Sequence, residues 1–374
     1  MLPRDTVICT VGTSLFFNLR TAPEVPPRIQ SAFQGTEWER LGQELAKLEP
    51  RDRLCGAEIN TLEELRTKSW ISLERIIFLV SDTEEGRAMG RVLTAYFKAR
   101  RDIGIRADAL IYRVIEGLQD ERPREFKAQG LRNLVREIGA QVQKFGHDRV
   151  VVDATGGYKA QIAIAVIMGQ VLNIPVLYKH ERFSEIIDFP PLPVAFDYDF
   201  LGSQADLLVA FERGALLTAT ELGEVDEKLR VLLNEVDIDG ETAFDLSPVG
   251  QIYLMGYRLR LPKQAPTLTP ASSRTPPSFG SHHYPRGFED FVKKVWTENG
   301  WIQTIHSLPY EGQAQIRKGI SFRVQQVNGE PALVGSFKPD DFGARFRVRL
   351  ENEQPAVLSA AAVALNDRYQ PAPR

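Results

Sequence analysis

The chain has 374 residues, enough for roughly two or three domains, and its 43% hydrophobic content supports packed cores. A formal net charge of −3 excludes a protein that is basic throughout, as a wholesale nucleic-acid binder would be. Cys9 and Cys55 lack metal-ligand spacing and offer no disulfide framework, no apolar run reaches transmembrane length, and the N-terminus shows no signal-peptide pattern, so the plain expectation is a cytoplasmic protein.

In chain order, Thr6 to Val11 is a short apolar strand that ends in the small turn Gly12-Thr13-Ser14, followed by Leu15 to Leu19. Thr10, Thr13, Ser14 and Asn18 could hydrogen-bond a nucleotide at that strand end, or simply cap a helix. Residues 36–50 and 60–70 read as helical, with Thr61 and Glu64 in capping-box spacing. Arg75 to Val80 is a buried strand ending in Ser81-Asp82-Thr83, and Glu84 to Phe97 continues as a helix. Ala109 to Val114 is a strand, Glu116 to Arg124 an acidic loop, and Gly130 to Phe145 an amphipathic helix.

The most informative stretch comes next. Val150-Val151-Val152 reads as a buried parallel strand, Asp153-Ala154-Thr155-Gly156-Gly157 as a sharp turn, and Tyr158 onward as an apolar helix that ends before Asn173 and Pro175. Such a turn presents backbone N–H groups at a helix N-terminus, where they attract phosphate; Lys159 adds a point charge. The spacing is neither that of a P-loop nor G-x-G-x-x-G, and a plain tight turn with a solvent-facing lysine is the alternative. Pro175 to Tyr178 and Ile186 to Phe189 complete a parallel, doubly wound α/β domain over residues 1–200.

Four phrases occur in order: Thr10-Val11-Gly12-Thr13-Ser14-Leu15, Gly56 to Asn60, Ser81-Asp82-Thr83-Glu84-Glu85-Gly86, and Asp153 to Lys159. Together they resemble the CRISPR-associated Rossmann-fold sensor domains, the CARF domains. The resemblance implies a homodimer with a shared pocket for a cyclic oligoadenylate, most often the tetramer. Gly12, Thr13 and Ser14 would line that pocket with Asp82 and Thr83 beside them, and Thr155, Gly156, Gly157 and Lys159 would surround phosphate and ribose. A symmetric ligand suits a two-fold interface.

Residues 201–262 carry helix–helix–wing grammar and the phrase Leu246-Ser247-Pro248-Val249-Gly250, which resembles a winged helix-turn-helix. The expected recognition helix, Asp226 to Asn234, sets Asp226 and Glu227 against Lys228 and Arg230, so a structural or dimerising role suits it better than DNA reading. Residues 263–284, rich in Pro, Ser and Thr, read as a flexible linker.

Residues 285–374 read as a small α+β unit: a helix from Phe288 to Asn299, then strands at 320–327, 331–337, 344–350 and 356–364. Between Gln313 and Arg349, seven cations (Arg317, Lys318, Arg323, Lys338, Arg345, Arg347, Arg349) stand against three acids, Glu330, Asp340 and Asp341. Arg345, Arg347 and Arg349 alternate along one strand, so they share a face; they hold phosphates or else protect a solvated edge strand. An acid followed by E-x-K is missing from the strands, no R-x4–6-H motif follows residue 285, and His306 reads as a surface residue. This leaves metal-free RNA cleavage with no cofactor, in which the 2′-OH attacks the adjacent phosphate and Lys or Arg stabilises the charge.

Helix followed by a basic sheet resembles RelE-type mRNA interferases, and the whole order resembles the CRISPR-associated mRNA interferases. That resemblance implies a type III CRISPR effector activated by cyclic tetra-adenylate, cutting mRNA in the ribosomal A site, with the ribosome and its stalk protein as partners and no membrane association. Arg345, Arg347 and Arg349 would hold phosphates, Lys318, Lys338 or Arg323 would stabilise the cleavage charge, and Tyr369 is an acid–base candidate. The rivals are a ligand-responsive transcription regulator and a ring nuclease that only degrades its ligand.

Overall fold

Strands with unbroken runs of β-branched residues need cover on both faces, and the two central strands of the N-terminal sheet have it throughout. The computed structural model describes residues 4–180, 185–193, 195–223, 225–238, 240–264, 268–309, 316 and 318–371. The chain divides into two compact units, residues 1–194 with 251–256, and residues 195–250 with 257–374.

The first unit runs β1 (Thr6–Thr10), α1 (Ser14–Thr21), α2 (Pro27–Gln34), α3 (Trp38–Leu45), α4 (Gly56–Thr67), β2 (Arg75–Ser81), α5 (Glu84–Ala99), β3 (Leu110–Ile115), α6 (Pro123–Glu125), α7 (Leu131–Phe145), β4 (Val150–Asp153), α8 (Lys159–Leu172), β5 (Val176–Tyr178) and β6 (Ile187–Phe189). The sheet order is β3-β2-β1-β4-β5-β6, parallel except for β6. This is the doubly wound order in which successive connections reverse direction between β1 and β4. Val7, Cys9, Phe78, Val80 and Val151 belong to the core on one side of the sheet. Helix α8 stops where Asn173 adopts a left-handed conformation (φ 60°) before Pro175. Thr61 is not a helix cap as its spacing suggests: α4 begins at Gly56, and the Thr61 hydroxyl donates to the Ala57 carbonyl one turn back, at 2.9 Å. Cys9 and Cys55 are both buried and free.

The second unit begins with α9 (Tyr198–Ser203), α10 (Ala205–Glu212), β7 (Leu217–Thr218), α11 (Ala219–Leu222), α12 (Glu227–Val231), β8 (Leu233–Ile238), β9 (Glu241–Leu246) and α13 (Pro248–Gln264). Three strands pair in the order β7-β9-β8, with β8 and β9 forming an antiparallel hairpin. The helix expected from Asp226 to Asn234 is shorter: Asp226 caps it, and from Leu233 the chain is already in β8. Glu235 and Asp237 are exposed on that strand, two residues apart as one face of a hairpin requires, and Ile238 at the strand end is exposed as well.

The unit continues with α14 (Phe288–Glu298), β10 (Thr304–Ser307), β11 (Gly319–Val327), β12 (Glu330–Lys338), β13 (Ala344–Arg349) and α15 (Pro355–Tyr369). The four strands form an antiparallel sheet, β10-β13-β12-β11. The strand expected at 356–364 is instead part of α15, where Pro355 starts the helix and Ala356, Ala360, Ala361, Ala362 and Ala364 favour it. Helix α14 covers one face of the sheet with an aromatic cluster: Phe291 stacks on Phe337 at 5.0 Å, and Phe288 meets Phe346 at 5.8 Å.

The segment expected as a flexible linker is partly ordered. Within it, Thr275 N donates to Gln303 O (3.0 Å), Ser278 N to Ile305 O (2.9 Å), and Ser307 N back to Ser278 O (3.1 Å), so the chain lies along β10. Arg274 adds a cation–π contact to Trp296 at 4.3 Å, and Tyr284 stacks on Phe288 at 4.7 Å. Composition alone suggested disorder; backbone pairing to a sheet edge supplies what the side chains lack.

Candidate functional site

In the first unit the turns after β1 and β4 meet at the reversal point of the sheet. Their approach is set by glycine. A Cβ on Gly12 would lie 2.8 Å from the Gly157 nitrogen, and one on Gly156 would lie 2.7 Å from the Gly12 nitrogen and 2.0 Å from Glu58 Oε1. Gly157 also has φ 103°, open to glycine alone at little strain. Glu58, from the first turn of α4 and wholly buried, accepts a hydrogen bond from Gly12 N at 2.7 Å and so ties that turn from below.

Asp153 closes β4 beneath the second turn. Its carboxylate accepts from Thr155 N (3.1 Å) and Thr155 Oγ1 (2.6 Å), with Cys9 Sγ at 3.5 Å from the other oxygen. Burial raises its pKa to about 6, against the opposing pull of the Thr155 hydrogen bonds. Burial also pushes the Cys9 thiol well up, so it is a packing residue, not a thiolate.

Helices α1 and α8 both start at these turns without a side-chain hydrogen bond from the cap residue, Thr13 or Tyr158. Gln161 takes the Tyr158 amide (2.6 Å). The amides of Thr13, Ser14, Gly156 and Gly157 have no acceptor among the described residues. Two helix N-termini with open amides make a place for an anion. Beside them opens a cleft of about 780 Å³ lined by Gly12, Thr13, Asp82, Thr83, Gly157 and Tyr158, among others.

Of the expected ligand residues, then, Gly12, Thr13, Asp82, Thr83 and Gly157 line the cleft, and Ser14 and Gly156 are chain neighbours of lining residues. Thr10 does not: it is buried, and its hydroxyl donates to Gly156 O at 2.5 Å. Asn18 is engaged with the Arg53 carbonyl (2.8 Å), and the Thr155 hydroxyl lies between Asp153 and the Lys179 amide. These three side chains are engaged in holding the turns. Thr83 caps α5 through Gly86 N at 3.0 Å, while Asp82 accepts from Gly117 N and pairs with Arg87. Lys159 is exposed at the first position of α8, with no ion pair among the described residues.

What the sequence reading missed is the outer wall. Gln119, Asp120, Glu121, Arg122 and Glu125 come from the loop and turn after β3, and with Asp82, Glu84 and Glu85 they make six carboxylates against one guanidinium. Tyr158 donates to Asp120 at 3.1 Å, and burial, then the charge of Asp120, raises its pKa to about 12. The acidic run Glu116–Glu125 was visible in the sequence, but nothing in it signalled that the loop folds against the glycine turns.

In the second unit, the sheet of β10 to β13 has one aromatic and one basic face. Arg345, Arg347 and Arg349 alternate with the buried Phe346 and Val348. β13 is an inner strand, between β10 and β12, so these arginines do not guard an edge. Glu353 is the anion they meet, 3.2 Å from both Arg347 and Arg349. Register places His306 opposite Arg347, which in turn opposes Val334, the partner of Arg323. The neighbouring row holds Arg345, Ser336 and Ser321, the two serines 2.7 Å apart.

Arg323 is on this face but approaches the buried Asp206 of α10 at 3.8 Å. Lys338 donates to Ile316 O at 3.1 Å, and Lys318 is exposed just before β11. Arg317 lies outside the described residues. Tyr369 is not brought to the arginines: its ring packs on Phe291 (5.8 Å) and Phe322 (6.1 Å), in the aromatic cluster. Burial, then the hydrogen bond to Glu298 at 2.7 Å, pushes its phenol up to about 12. Among the described residues no three His, Cys, Asp or Glu side chains are grouped to hold a metal ion. No helix among them is long and apolar enough to cross a membrane.

Residues 53–192 match the family described as CRISPR-associated protein (Cas_APE2256), a stretch that includes β2 to β6 and the second glycine turn. No curated protein matches the chain. Among solved structures the chain is similar to Can2 from Sulfobacillus thermosulfidooxidans in complex with cyclic tetra-adenylate, at 12% identity and a TM-score of 0.25. That similarity covers 69% of this chain and 64% of the other, so the chain spans less than two thirds of Can2's length.

Proposed function

We propose that the protein is a type III CRISPR ancillary effector: a homodimeric sensor of cyclic tetra-adenylate whose second unit cleaves mRNA on the ribosome. The observation that carries the sensor reading is the pair of glycine turns with open amides at two helix N-termini, at the crevice where doubly wound sheets bind ligands. The match of residues 53–192 to a CRISPR-associated family supports the biological setting. Phosphates would meet the turn amides and Lys159. The carboxylates of the outer wall repel phosphate but accept hydrogen bonds from amino groups, such as those of adenine bases.

The basic sheet face supports the effector reading. Its cations can take the two non-bridging oxygens of a phosphodiester and the charge that grows as the 2′-OH attacks. A ligand-gated transcription regulator has less support, because α12 is only five residues long, with Asp226 and Glu227 at its start and Lys228 paired to Asp197.

The deciding experiment follows RNA integrity with purified protein, with and without cyclic tetra-adenylate, on naked mRNA and on mRNA programmed into ribosomes. Cleavage only when ligand and ribosomes are both present is expected. Cleavage of naked RNA would remove the ribosome from the mechanism, and no cleavage under any condition would overturn the ribonuclease reading. Lys159→Ala is expected to weaken ligand binding by about 1 kcal/mol or more, the scale of one charge-assisted contact.

A further inference from the structure

We propose that His306 is the acid–base residue of the basic sheet face, an inference that rests on the ribonuclease reading above. His306 is exposed on β10 and stands directly opposite Arg347 in the antiparallel register. Directly opposed side chains lie about 5 Å apart, and Arg345 and Arg349 are its diagonal neighbours. One imidazole therefore sits within a row of guanidinium groups, where a phosphodiester held by the arginines would present its ribose.

The ring is held in place. Ser278 Oγ lies 2.6 Å from His306 Nδ1, and Ser278 is itself fixed by backbone hydrogen bonds to Ile305 and Ser307 on either side of the histidine. With Nδ1 engaged, Nε2 is the nitrogen left for a substrate. The former linker thus supplies the residue that orients the ring.

The other candidates are poorly suited to proton transfer. Tyr369 is on the aromatic face, with its phenol up at about 12. Arginine side chains do not give up a proton at neutral pH. Among the described residues, the charged groups that face His306 on the neighbouring strand are Arg347, Arg345 and Arg349 of β13, with Glu353 behind the first and last of them.

In the step we infer, neutral Nε2 takes the proton of the ribose 2′-OH as that oxygen bonds to phosphorus. The P–O5′ bond breaks, the 5′-oxygen takes a proton from water, and the imidazolium later releases its own to solvent. The products are a 2′,3′-cyclic phosphate and a 5′-hydroxyl. Arg345 and Arg347 hold the non-bridging oxygens throughout.

The test uses the full-length protein with cyclic tetra-adenylate and programmed ribosomes, in single-turnover cleavage from about pH 5 to about pH 9, spanning the imidazole range. The wild-type rate should rise through that range and then level. His306→Gln and His306→Asn should each lose about 10²-fold to 10⁴-fold in rate and the acidic limb with it, with ligand affinity and melting temperature unchanged. Ser278→Ala, at a positioning residue, should show a smaller loss and keep the limb. Either His306 variant cleaving at the wild-type rate with the wild-type pH profile would overturn this proposal alone. A wild-type protein that cleaves no RNA would overturn it together with the ribonuclease reading.

Discussion

Asn366 pairs with Phe322 as a neighbouring strand would. Its Oδ1 accepts from the Phe322 amide at 3.0 Å and its Nδ2 donates to the Phe322 carbonyl at 2.7 Å. Phe322 lies on β11, the outermost strand of its sheet, where a backbone otherwise has no ladder partner. The side chain is fully buried, so water cannot replace it. Asn366→Leu keeps the branching and the number of heavy atoms but leaves one buried N–H and one buried C=O without partners. The expected cost is about 2–4 kcal/mol. Urea unfolding followed through the second unit should show a lower midpoint, and an unchanged midpoint would mean that the edge is satisfied some other way.

The glycine turns make a sharper prediction about the ligand. Gly156→Ala puts a methyl group 2.0 Å from Glu58 Oε1 and 2.7 Å from the Gly12 nitrogen, and backbone cannot give way cheaply. The two turns should part and the open amides lose their common direction. Calorimetry should show cyclic tetra-adenylate affinity falling at least ~10-fold, which is about 1.4 kcal/mol. Gly300→Ala, with nothing within 4 Å of its added Cβ, is the matched control and should bind normally. Equal affinity in both variants would move the ligand away from these turns.

Much of the first unit was legible because its signals are local. Val150 to Val152 reads as a strand from side-chain shape, and Asn173 with Pro175 ends a helix by backbone preference alone. The glycines likewise announced a turn. What failed was whatever depends on a partner distant in sequence. Thr10, Asn18 and Thr155 looked like ligand residues because small polar side chains after strands often are; only the fold shows their hydroxyl and amide groups turned to Gly156, Arg53 and Asp153. The place of Tyr369 in the aromatic cluster was hidden for the same reason. Which face of a sheet a residue occupies is set by register, and register between β10 and β13 joins residues about forty positions apart. The stretch at 356–364 failed differently: it was read as a fourth strand, but its alanine content and Pro355 favour the helix.

Asp153 gives a pH signature. Its pKa rises from the ordinary 3.8 to about 6 on folding, so in that interval the folded state binds the proton more tightly than the unfolded chain. Its contribution is therefore fully present below about pH 4 and is lost as pH rises through about 6. The difference corresponds to about 3 kcal/mol between those limits. Asp153→Asn removes the titration while keeping an oxygen to accept from Thr155. Relative to wild type, the variant should gain stability as pH goes from 4 to 7.5, by an amount of that order. Parallel stability curves for the two proteins would show that another arrangement relieves the buried carboxylate.

Arg258 of α13 joins two further helices through charge. Its Nη2 lies 2.6 Å from Glu212 Oε2 on α10 and 2.8 Å from Asp367 Oδ1 on α15. Burial would lower its pKa, yet the hydrogen bonds to Asp367 and Glu212 outweigh this and raise it, so the guanidinium is charged at every accessible pH. Arg213 reinforces the junction by donating to the Gln370 carbonyl at 2.7 Å. Removing the arginine leaves two carboxylates facing each other. The side chains keep about a third of their exposure, so solvent screens part of the repulsion, and Arg258→Met should cost about 1–3 kcal/mol, not the full value of a buried pair. Adding Glu212→Gln and Asp367→Asn should recover most of it, because the uncompensated charge, not the lost contact, is the larger part. Thermal denaturation of the single and triple variants at neutral pH separates the two contributions. A triple variant no more stable than the single one would mean that packing, not charge, holds these helices together.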